Sequence, residues 1–393
     1  EDLWVPDKPS THACLAGANI IANLSASDEI IGKQDYRRTM VLQQSASCYC
    51  AYLYVSSATD ESSTDLVFSG HTKVETVVID LESIEKNRRH QTTFDLEENH
   101  DDYVYVDVSI KPICNQDDIT VDELVDALRK EDYVVNRNPF VPVDDEERGR
   151  RCMKILEIQA NGLATRVRST GIKNLVVGIS GGLDSTLALL VCHQARKLVP
   201  DIHIICYTLP NHGNTTSYTY NNALNLMRAL DVEMHEVAIE EGVQAHLKQI
   251  GHPGSYQGEG DTTYENAQAR MRTYILMDAA NMANGLVVGT GDLSELALGW
   301  CTYNGDHMSM YAVNASVPKT LVQYICRTYA YICNQEDLKE VLLKICDTPI
   351  SPELTPHDEN GKIAQKTEDK IGKYDLNDFF LYYVLRYGYS PEK

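Results

Sequence analysis

The sequence predicts an α/β protein, a doubly wound parallel sheet preceded by a smaller part rich in strands. Three observations carry this. From residue 174 onward, short apolar runs alternate with helical stretches. Those runs are unbroken, as in strands buried on both faces. Before residue 110, several runs instead alternate apolar and polar residues with period two, as half-buried strands do.

In chain order, ANIIANLSAS (18–27) and YCAYLYVSSA (49–58) are rich in β-branched and aromatic residues and read as strands. HTKVETVVIDLES (71–83) and DDYVYVDVSI (101–110) read as period-two strands. Between the first two, YRRTMVLQQSASCYC has helical spacing, with Met40, Leu42 and Ala46 on an expected buried side. The stretch from about 112 to 150 is polar, densely charged and carries two prolines, and reads as a connector with one short helix. This divides the chain into 1–110, a connector at 111–139, and 140–393. In the last part, NLVVGIS (174–180) is a strand and residues 183–199 a helix. IHIICYTLP (202–210) is a second strand, TYNNALNLMRAL a helix and EMHEVAI a third strand. The long helix ENAQARMRTYILMDAANMANG closes at Gly285, and LVVGTG (286–291) is the next strand. Repeated β-α-β order predicts right-handed crossovers and a parallel sheet. Ligands of such sheets sit beyond the carboxyl ends of the strands.

At the end of the first of these strands stands Ser180-Gly181-Gly182-Leu183-Asp184-Ser185, followed directly by a helix. Glycines let the backbone approach a ligand closely, and a helix N-terminus presents N–H groups and a positive dipole end to an anion. Ser180 and Ser185 add hydroxyl donors. Asp184 would repel a phosphate unless a cation bridged them, so it implies Mg²⁺. A simple strand-to-helix junction, capped by Asp or Ser, is the plainer reading of the same residues. No G-x-x-x-x-G-K-[ST] occurs, and GTGDLS lacks the third glycine of a dinucleotide fingerprint.

GTGDLSELALGWCTYNGDHMSMY (289–311) is dense in small and polar residues after a strand end. There Thr290 could meet ribose or phosphate. Glu295 could be a second carboxylate for the same Mg²⁺, or only a helix-start acid favouring the dipole. Trp300 and Tyr303 could stack on a flat ring, although core packing also suits Trp300. Asp306 could accept hydrogen bonds from ribose or an amide. Asn266 and Arg270, four apart, project together and suit a carboxylate or phosphate clamp, or else a solvated face. Lys319 could neutralise charge as pyrophosphate leaves. His212 and His307 lie in the same loops and read as hydrogen-bonded or solvent-facing.

Composition narrows the function. The 393 residues are 43% hydrophobic and 23% charged, which excludes a disordered chain. A net charge of −22 repels nucleic-acid backbones and argues against a broad nucleic-acid face, without excluding a nucleotide pocket. Eleven scattered cysteines, with only a C-x-C at Cys48 and Cys50, suit a reducing cytosol. No run of about 18 apolar residues predicts a membrane span. The first residues, EDLWVPDKPS, lack both the order of a signal peptide and an initiator Met, so a processed or partial chain is expected.

SGGLDS resembles the pyrophosphatase loop of N-type ATP pyrophosphatases, enzymes of the adenine nucleotide alpha hydrolase-like fold. Residues 140–393 resemble the synthetase domain of glutamine-dependent NAD⁺ synthetases. The resemblance rests on GISGGLDSTLALLV, TYNNALNLMRAL, TYENAQARMRTYILMDAAN, VGTGDLSELALGWCTYNGDHMSMYAVNASVPKTLV, TPISPEL and QKTEDKIGKYDLNDFFLYYVLRYG. It implies ATP held by Gly178, Ser180, Gly181, Gly182, Leu183, Asp184, Ser185 and Thr290, with Lys319 and Ser351 nearby. It also implies Mg²⁺ at Asp184 and Glu295, and deamido-NAD⁺ contacts from Asn266, Arg270, Glu295, Trp300 and Asp306. Asp184, Glu295 and Lys319 become the expected catalytic residues.

EDLWVP, LAGANIIANLSAS, YRR and ESSTDLVFSG resemble the second half of that family's nitrilase-like α-β-β-α glutaminase domain. The resemblance implies a nucleophilic Cys just before Glu1, outside this sequence, and a chain truncated at both ends. Ser27 matches a glutamine-binding position, and Lys33 stands where an Arg is sometimes used. The implied activity is ATP-dependent amidation of deamido-NAD⁺ through an acyl-adenylate, releasing AMP and pyrophosphate, with ammonia from glutamine. It implies a homo-oligomer at full length. The competing expectations are another ATP pyrophosphatase amidotransferase, such as a GMP or asparagine synthetase, and a truncated, non-catalytic nucleotide-binding subunit. A tRNA-thiolating relative fits poorly with the acidic charge.

Overall fold

The computed structural model describes residues 3–28, 33–57, 79, 81–91, 94, 104, 106, 136–258, 261–348, 354, 367–386 and 388–389. They belong to two compact units, one of Glu1–Asn136 with Tyr383–Lys393, the other of Arg137–Tyr382.

In the first unit, helix α1 (Pro9–Leu15) precedes strand β1 (Ile20–Ser25), helix α2 (Lys33–Cys48), strand β2 (Ala51–Ser56) and helix α3 (Leu81–His90). β1 and β2 pair in parallel, Ile20 opposite Ala51 and Ser25 opposite Ser56. The face of α2 differs from the expected one. Arg37, Gln44 and Cys48 are buried, whereas Leu42 is 60% exposed and Ala46 also faces outward. The physical reason is polar: Gln44 Nε2 donates to Ser10 Oγ and Thr11 Oγ1, which turns that side toward α1. The strand expected over 71–83 lies outside the described residues except at its end, where Leu81 opens α3. LESIEKNRRH is made largely of good helix formers and carries a Glu85–Arg89 pair at i,i+4. The strand over 101–110, apart from Val104 and Val106, and the short connector helix also lie outside the described residues.

The second unit opens with helix α4 (Asp145–Thr170), which begins inside the stretch expected to be connector. Its start is set by Asp144, whose side chain accepts from Glu147 N at 2.7 Å, and by three acids in the first turn. Gly171, at φ 71°, ends it. Then follow strand β3 (Asn174–Gly178), helix α5 (Leu183–Leu198), strand β4 (His203–Thr208), helix α6 (Ser217–Ala229) and strand β5 (Glu233–Glu236). Helix α7 (Glu240–Gln249), long helix α8 (Thr262–Met282), strand β6 (Gly285–Gly289), helix α9 (Leu293–Leu298) and short strand β7 (Tyr311–Ala312) continue the chain. Helices α10 (Lys319–Ile332), α11 (Glu336–Cys346), α12 (Thr367–Ile371) and α13 (Tyr374–Leu381) complete it.

All five strands are parallel, in the order β5-β4-β3-β6-β7. The chain therefore winds outward from β3 in one direction and returns to β6 on its other side. Between β3 and β6 the connections diverge, which opens a crevice at their carboxyl ends. Leu175, Val177 and Ile204 meet Leu187, Leu190 and Leu226 in the main core on one face of the sheet. Val176, Ile205 and Val287 pack on Ala280 of α8 on the other. Gly285 does not close α8. Asn284 takes the left-handed turn at φ 48°, and Gly285 is the first residue of β6. A Cβ there would sit 2.8 Å from the Asn174 carbonyl oxygen, so glycine serves strand packing rather than capping.

His193 lies half-buried on α5, and its Nδ1 is 3.2 Å from Arg196 Nη2, as fits a neutral ring accepting from the guanidinium. Burial first, then Lys197 and Arg196, hold it at about 4, against an ordinary 6.5. Between those values the unfolded chain binds the proton that the folded chain refuses, so stability falls as pH drops. Urea unfolding at pH 7.5 and pH 5 should show the wild-type chain losing up to about 2 kcal/mol more than His193→Gln. Equal losses would remove His193 from the acid sensitivity.

Candidate active site

The crevice holds a cleft of about 320 Å³, lined by both loops that the sequence singles out. After β3, Gly181 adopts φ 85°, and a Cβ on it would fall 2.1 Å from the Thr219 carbonyl oxygen. Only glycine lets this bend lie against α6. Gly182 is the N-cap of α5, in extended conformation and without a side-chain cap. Three groups brace the bend internally. Gly182 N donates to Ser180 Oγ at 3.2 Å, Ser180 N to Ser185 Oγ at 3.3 Å, and Ser185 Oγ to Gly182 O at 3.1 Å.

After β6, Asp292 caps α9. Its Oδ1 accepts from Glu295 N at 2.9 Å, while Glu295 Oε2 accepts from Asp292 N at 3.3 Å. This reciprocal box fixes two carboxylates side by side. Glu295 is thus a helix-start acid, and its other oxygen, Oε1, accepts from Lys319 Nζ at 2.8 Å beside the cleft. Asn314, fully buried, ties the two loops together by donating to Asp184 O at 2.9 Å and Thr290 O at 3.1 Å. Gln159 Nε2 donates to Asn314 Oδ1 at 3.1 Å and so fixes the amide's orientation.

Lys319, the first residue of α10, is 2% exposed. Its ammonium lies 2.6 Å from Asp184 Oδ2, 2.6 Å from Asp292 Oδ2 and 2.8 Å from Glu295 Oε1. Lys319 is thus the hub of three acids, with one side on the cleft. The backbone that carries it is pinned by Lys319 N donating to Ser294 Oγ at 2.9 Å and Thr320 N to Asp378 Oδ2 at 2.9 Å. Ser294 Oγ also donates to Asp378 Oδ1.

The charges strain one another. Burial first, then the Asp184 charge, push the Asp292 carboxyl up to about 8. The same causes, in the same order, push Glu295 up to about 7. Burial alone would lower the Lys319 ammonium, but Asp184, Glu295 and Asp292 together hold it well above its ordinary value. One lysine is too little positive charge for three ionised acids. Asp184 Oδ1 is buried with no hydrogen-bond partner among the described residues. Oxygen atoms of Asp184, Asp292 and Glu295 lie within 4.8 Å of one another. A hard divalent cation with oxygen ligands fits this set.

Of the residues read from sequence, Gly178, Ser180, Gly182, Leu183, Asp184, Ser185, Thr290, Glu295, Trp300, Asp306 and Lys319 line the cleft. Trp300 is therefore not a core residue. Asp306 is already engaged, accepting from Thr302 N at 2.7 Å. Asn266 and Arg270 do not line the cleft. Asn266 Oδ1 accepts from Thr302 Oγ1 at 2.9 Å, and Arg270 Nε donates to Tyr303 O at 3.0 Å, so the pair grips the chain's own loop. Tyr303 is 74% exposed and stacks on His307, whose Nδ1 meets Thr302 O at 2.9 Å. His212 stands away from the cleft, its backbone N–H donating to Glu240. Ser351 lies outside the described residues.

In the other unit, Ser27 is buried, and Lys33 pairs with Asp28 with its ammonium 5.3 Å from the Trp4 ring centroid. Sequence reasoning missed Asp292, Asn314, Asp378, Tyr374 and Arg272. The D-x-x-E spacing of Asp292 and Glu295 was a visible capping-box signal. The partners of Asn314, Asp378 and Arg272 are remote in sequence.

Two substitutions probe this geometry. Gly181→Ala should displace the bend from Thr219 and cost about 1–3 kcal/mol in urea unfolding, because a Cβ forced against backbone at φ 85° stores strain. Unchanged stability would sink the steric argument. Lys319→Met leaves three acids without their cation and should cost about 3–5 kcal/mol in urea unfolding.

Residues 155–389 match the family model described as NAD synthase. Over its whole length the chain is 39% identical to the glutamine-dependent NAD(+) synthetase of Mycobacterium tuberculosis (strain ATCC 25618 / H37Rv), of which it spans 60%. Its identity to the glutamine-dependent NAD(+) synthetase of Thermotoga maritima is 28%, over 65% of that protein. Among solved structures, an NMN synthetase from Francisella tularensis aligns with 58% of this chain and 85% of its own, at 24% identity and a TM-score of 0.48. The chain thus spans less than two thirds of these curated relatives. Because the family match takes in more than half of its residues, the chain belongs to the NAD synthase family.

Proposed function

We propose that residues 137–382 carry the ATP-dependent amidation of deamido-NAD⁺ to NAD⁺, with release of AMP and pyrophosphate. The observation that carries this reading is the acid cluster of Asp184, Asp292 and Glu295 around Lys319, facing a glycine bend at the switch point of a parallel sheet. A polyanion entering such a site meets backbone donors and hydroxyls on one side and carboxylates on the other. That combination suits a nucleotide accompanied by Mg²⁺. Asp184 and Glu295, with Asp292, would hold the ion, which supplies charge neutralisation for the phosphates.

The chain's own residues bind and orient. The first N–H groups of α5, with Ser180 and Ser185, receive phosphate oxygens. Thr290 stands at the rim, while Leu209, Leu276 and Val287 offer an apolar wall for a flat ring. Trp300 and Asp306 face the same space and would contact deamido-NAD⁺. Asn266 and Arg270 would act there through the loop they hold. The deamido-NAD⁺ carboxylate attacks the α-phosphorus of ATP, and the bond to pyrophosphate breaks. Ammonia then attacks the carbonyl carbon of the acyl-adenylate, the carbon–oxygen bond to AMP breaks, and the nitrogen sheds a proton. No covalent nucleophile is needed, because positioning and charge neutralisation dominate phosphate-centred chemistry. Lys319 offsets charge as pyrophosphate departs.

In the whole protein ammonia would come from glutamine. We place residues 1–110 in the glutaminase part, residues 111–139 in a connector and residues 140–393 in the synthetase part, with Ser27 and Lys33 on the glutamine side. A homo-oligomer is the expected whole-protein state. The ten described cysteines are free thiols, which suits a cytoplasmic setting. Among the described residues no helix is long and apolar enough to cross a membrane.

AMP release from deamido-NAD⁺, MgATP and ammonium tests the reading. Asp184→Asn should lower kcat by about 100-fold or more, the scale of losing one preorganised charge contact. AMP formed only with another acceptor, such as a nucleotide base or aspartate, would replace this substrate assignment. Unchanged turnover in the variant would remove the metal role of Asp184.

A further inference from the structure

Tyr374 opens α13 beside the acid cluster and has no role in the account above. Its side chain is buried, 2% exposed, yet borders the cleft with Asp184, Glu295 and Thr367. Two anchors fix it. The Tyr374 N–H donates to Glu368 Oε1 at 3.1 Å. One helical turn on, Asp378 is bonded to Ser294 and Thr320, which locks α13 against the starts of α9 and α10. The Lys319 ammonium lies 5.4 Å from the ring centroid. The hydroxyl itself is buried and meets no hydrogen-bond partner among the described residues.

A buried phenol O–H almost always finds an acceptor. Burial, offset in part by Lys319 and reinforced by Glu295, Asp292 and Asp184, pushes this phenol well above its ordinary value, so at neutral pH it keeps its proton and can donate. Five of the six oxygens of those acids are taken by Lys319 or by the α9 cap, and the sixth, Asp184 Oδ1, makes no hydrogen bond to the phenol. A group that arrives with the ligand next to Asp184 and Lys319 and accepts a hydrogen bond would complete the hydroxyl. In a nucleotide, the phosphate oxygens are such groups.

We propose that Tyr374 donates a hydrogen bond through its hydroxyl to a phosphate oxygen of the bound nucleotide, as a binding residue of the cleft. This rests on the nucleotide reading above. The side chain is held in place before the ligand arrives, so the contact costs little ordering on binding.

The test uses Tyr374→Phe in the full chain, with titration calorimetry of MgATP and of adenosine, and thermal melting without ligand. MgATP affinity should fall by about tenfold or more, as for a hydrogen bond to a charged group. Adenosine, which has no phosphate, should bind equally to both proteins. The ligand-free variant should melt at the same temperature or higher, because removing an unsatisfied hydroxyl relieves a burial penalty. Equal MgATP affinity would overturn the proposal. So would a lower ligand-free melting temperature, which reveals an internal partner, or a change confined to the half-saturating Mg²⁺. A wild-type chain that binds adenosine and MgATP with equal affinity, or neither, would overturn the nucleotide reading itself.

Discussion

The ammonium of Lys319, shut away from water among three carboxylates, fixes the cleft end of the larger unit. Its partners come from two places: Asp184 from the first turn of α5, Asp292 and Glu295 from the start of α9. Lys319 itself starts α10. A buried cation without counter-charges is too costly to keep, so the carboxyl ends of β3 and β6 must bring their loops to it. Asn314 adds a neutral tie between the same two loops, and Asp378 fastens the backbone on either side of the lysine. The glycine bend after β3 takes its position from these contacts together with its own bonds through Ser180, Gly182 and Ser185.

The quartet is electrostatically incomplete. Three acids and one base leave negative charge in a space with little water, and the upward shifts of Asp292 and Glu295 register that imbalance. A cleft built to receive phosphates would ordinarily be lined with cations. Here the helix N-terminus and hydroxyls face one side of the cleft and the acids the other, so under the proposed function a nucleotide and its divalent cation would be accepted together. A polyanion alone would leave like charges opposed.

What could be read in the sequence follows the reach of each signal. SGGLDS is local: strand, bend and helix start lie within a dozen residues, so the cradle and Asp184 were visible. Period and composition placed β3, α5, β4 and β6 to within a few residues. Glu295 was visible, whereas Asp292, three residues earlier, was hidden by its local work as an N-cap. The partners of Lys319 were invisible, because pairs separated by 24 and 135 positions leave no spacing signature. Asn266 and Arg270 show the converse limit. Helical spacing reported that they project together, but not that their target is the loop at Thr302 and Tyr303. On α2 the buried side was misjudged for the same reason, since its partners on α1 are hydroxyls rather than an apolar surface.

Buried charge quartets are poor sources of stability. Well-packed apolar side chains of similar volume often match or exceed them. The fold around this one does not need it for a core, because the sheet buries its own apolar layers on both faces. Its four members instead sit beyond the carboxyl ends of β3 and β6, where apolar replacement would strip the cleft of most of its charged side chains. The lysine is best understood as the residue that makes three converging acids tolerable in the absence of substrate. Without it they would protonate or spread apart, and the proposed cation site would have to be rebuilt on binding. A site held ready in this way spends folding stability to reduce the reorganisation that binding and reaction would otherwise require.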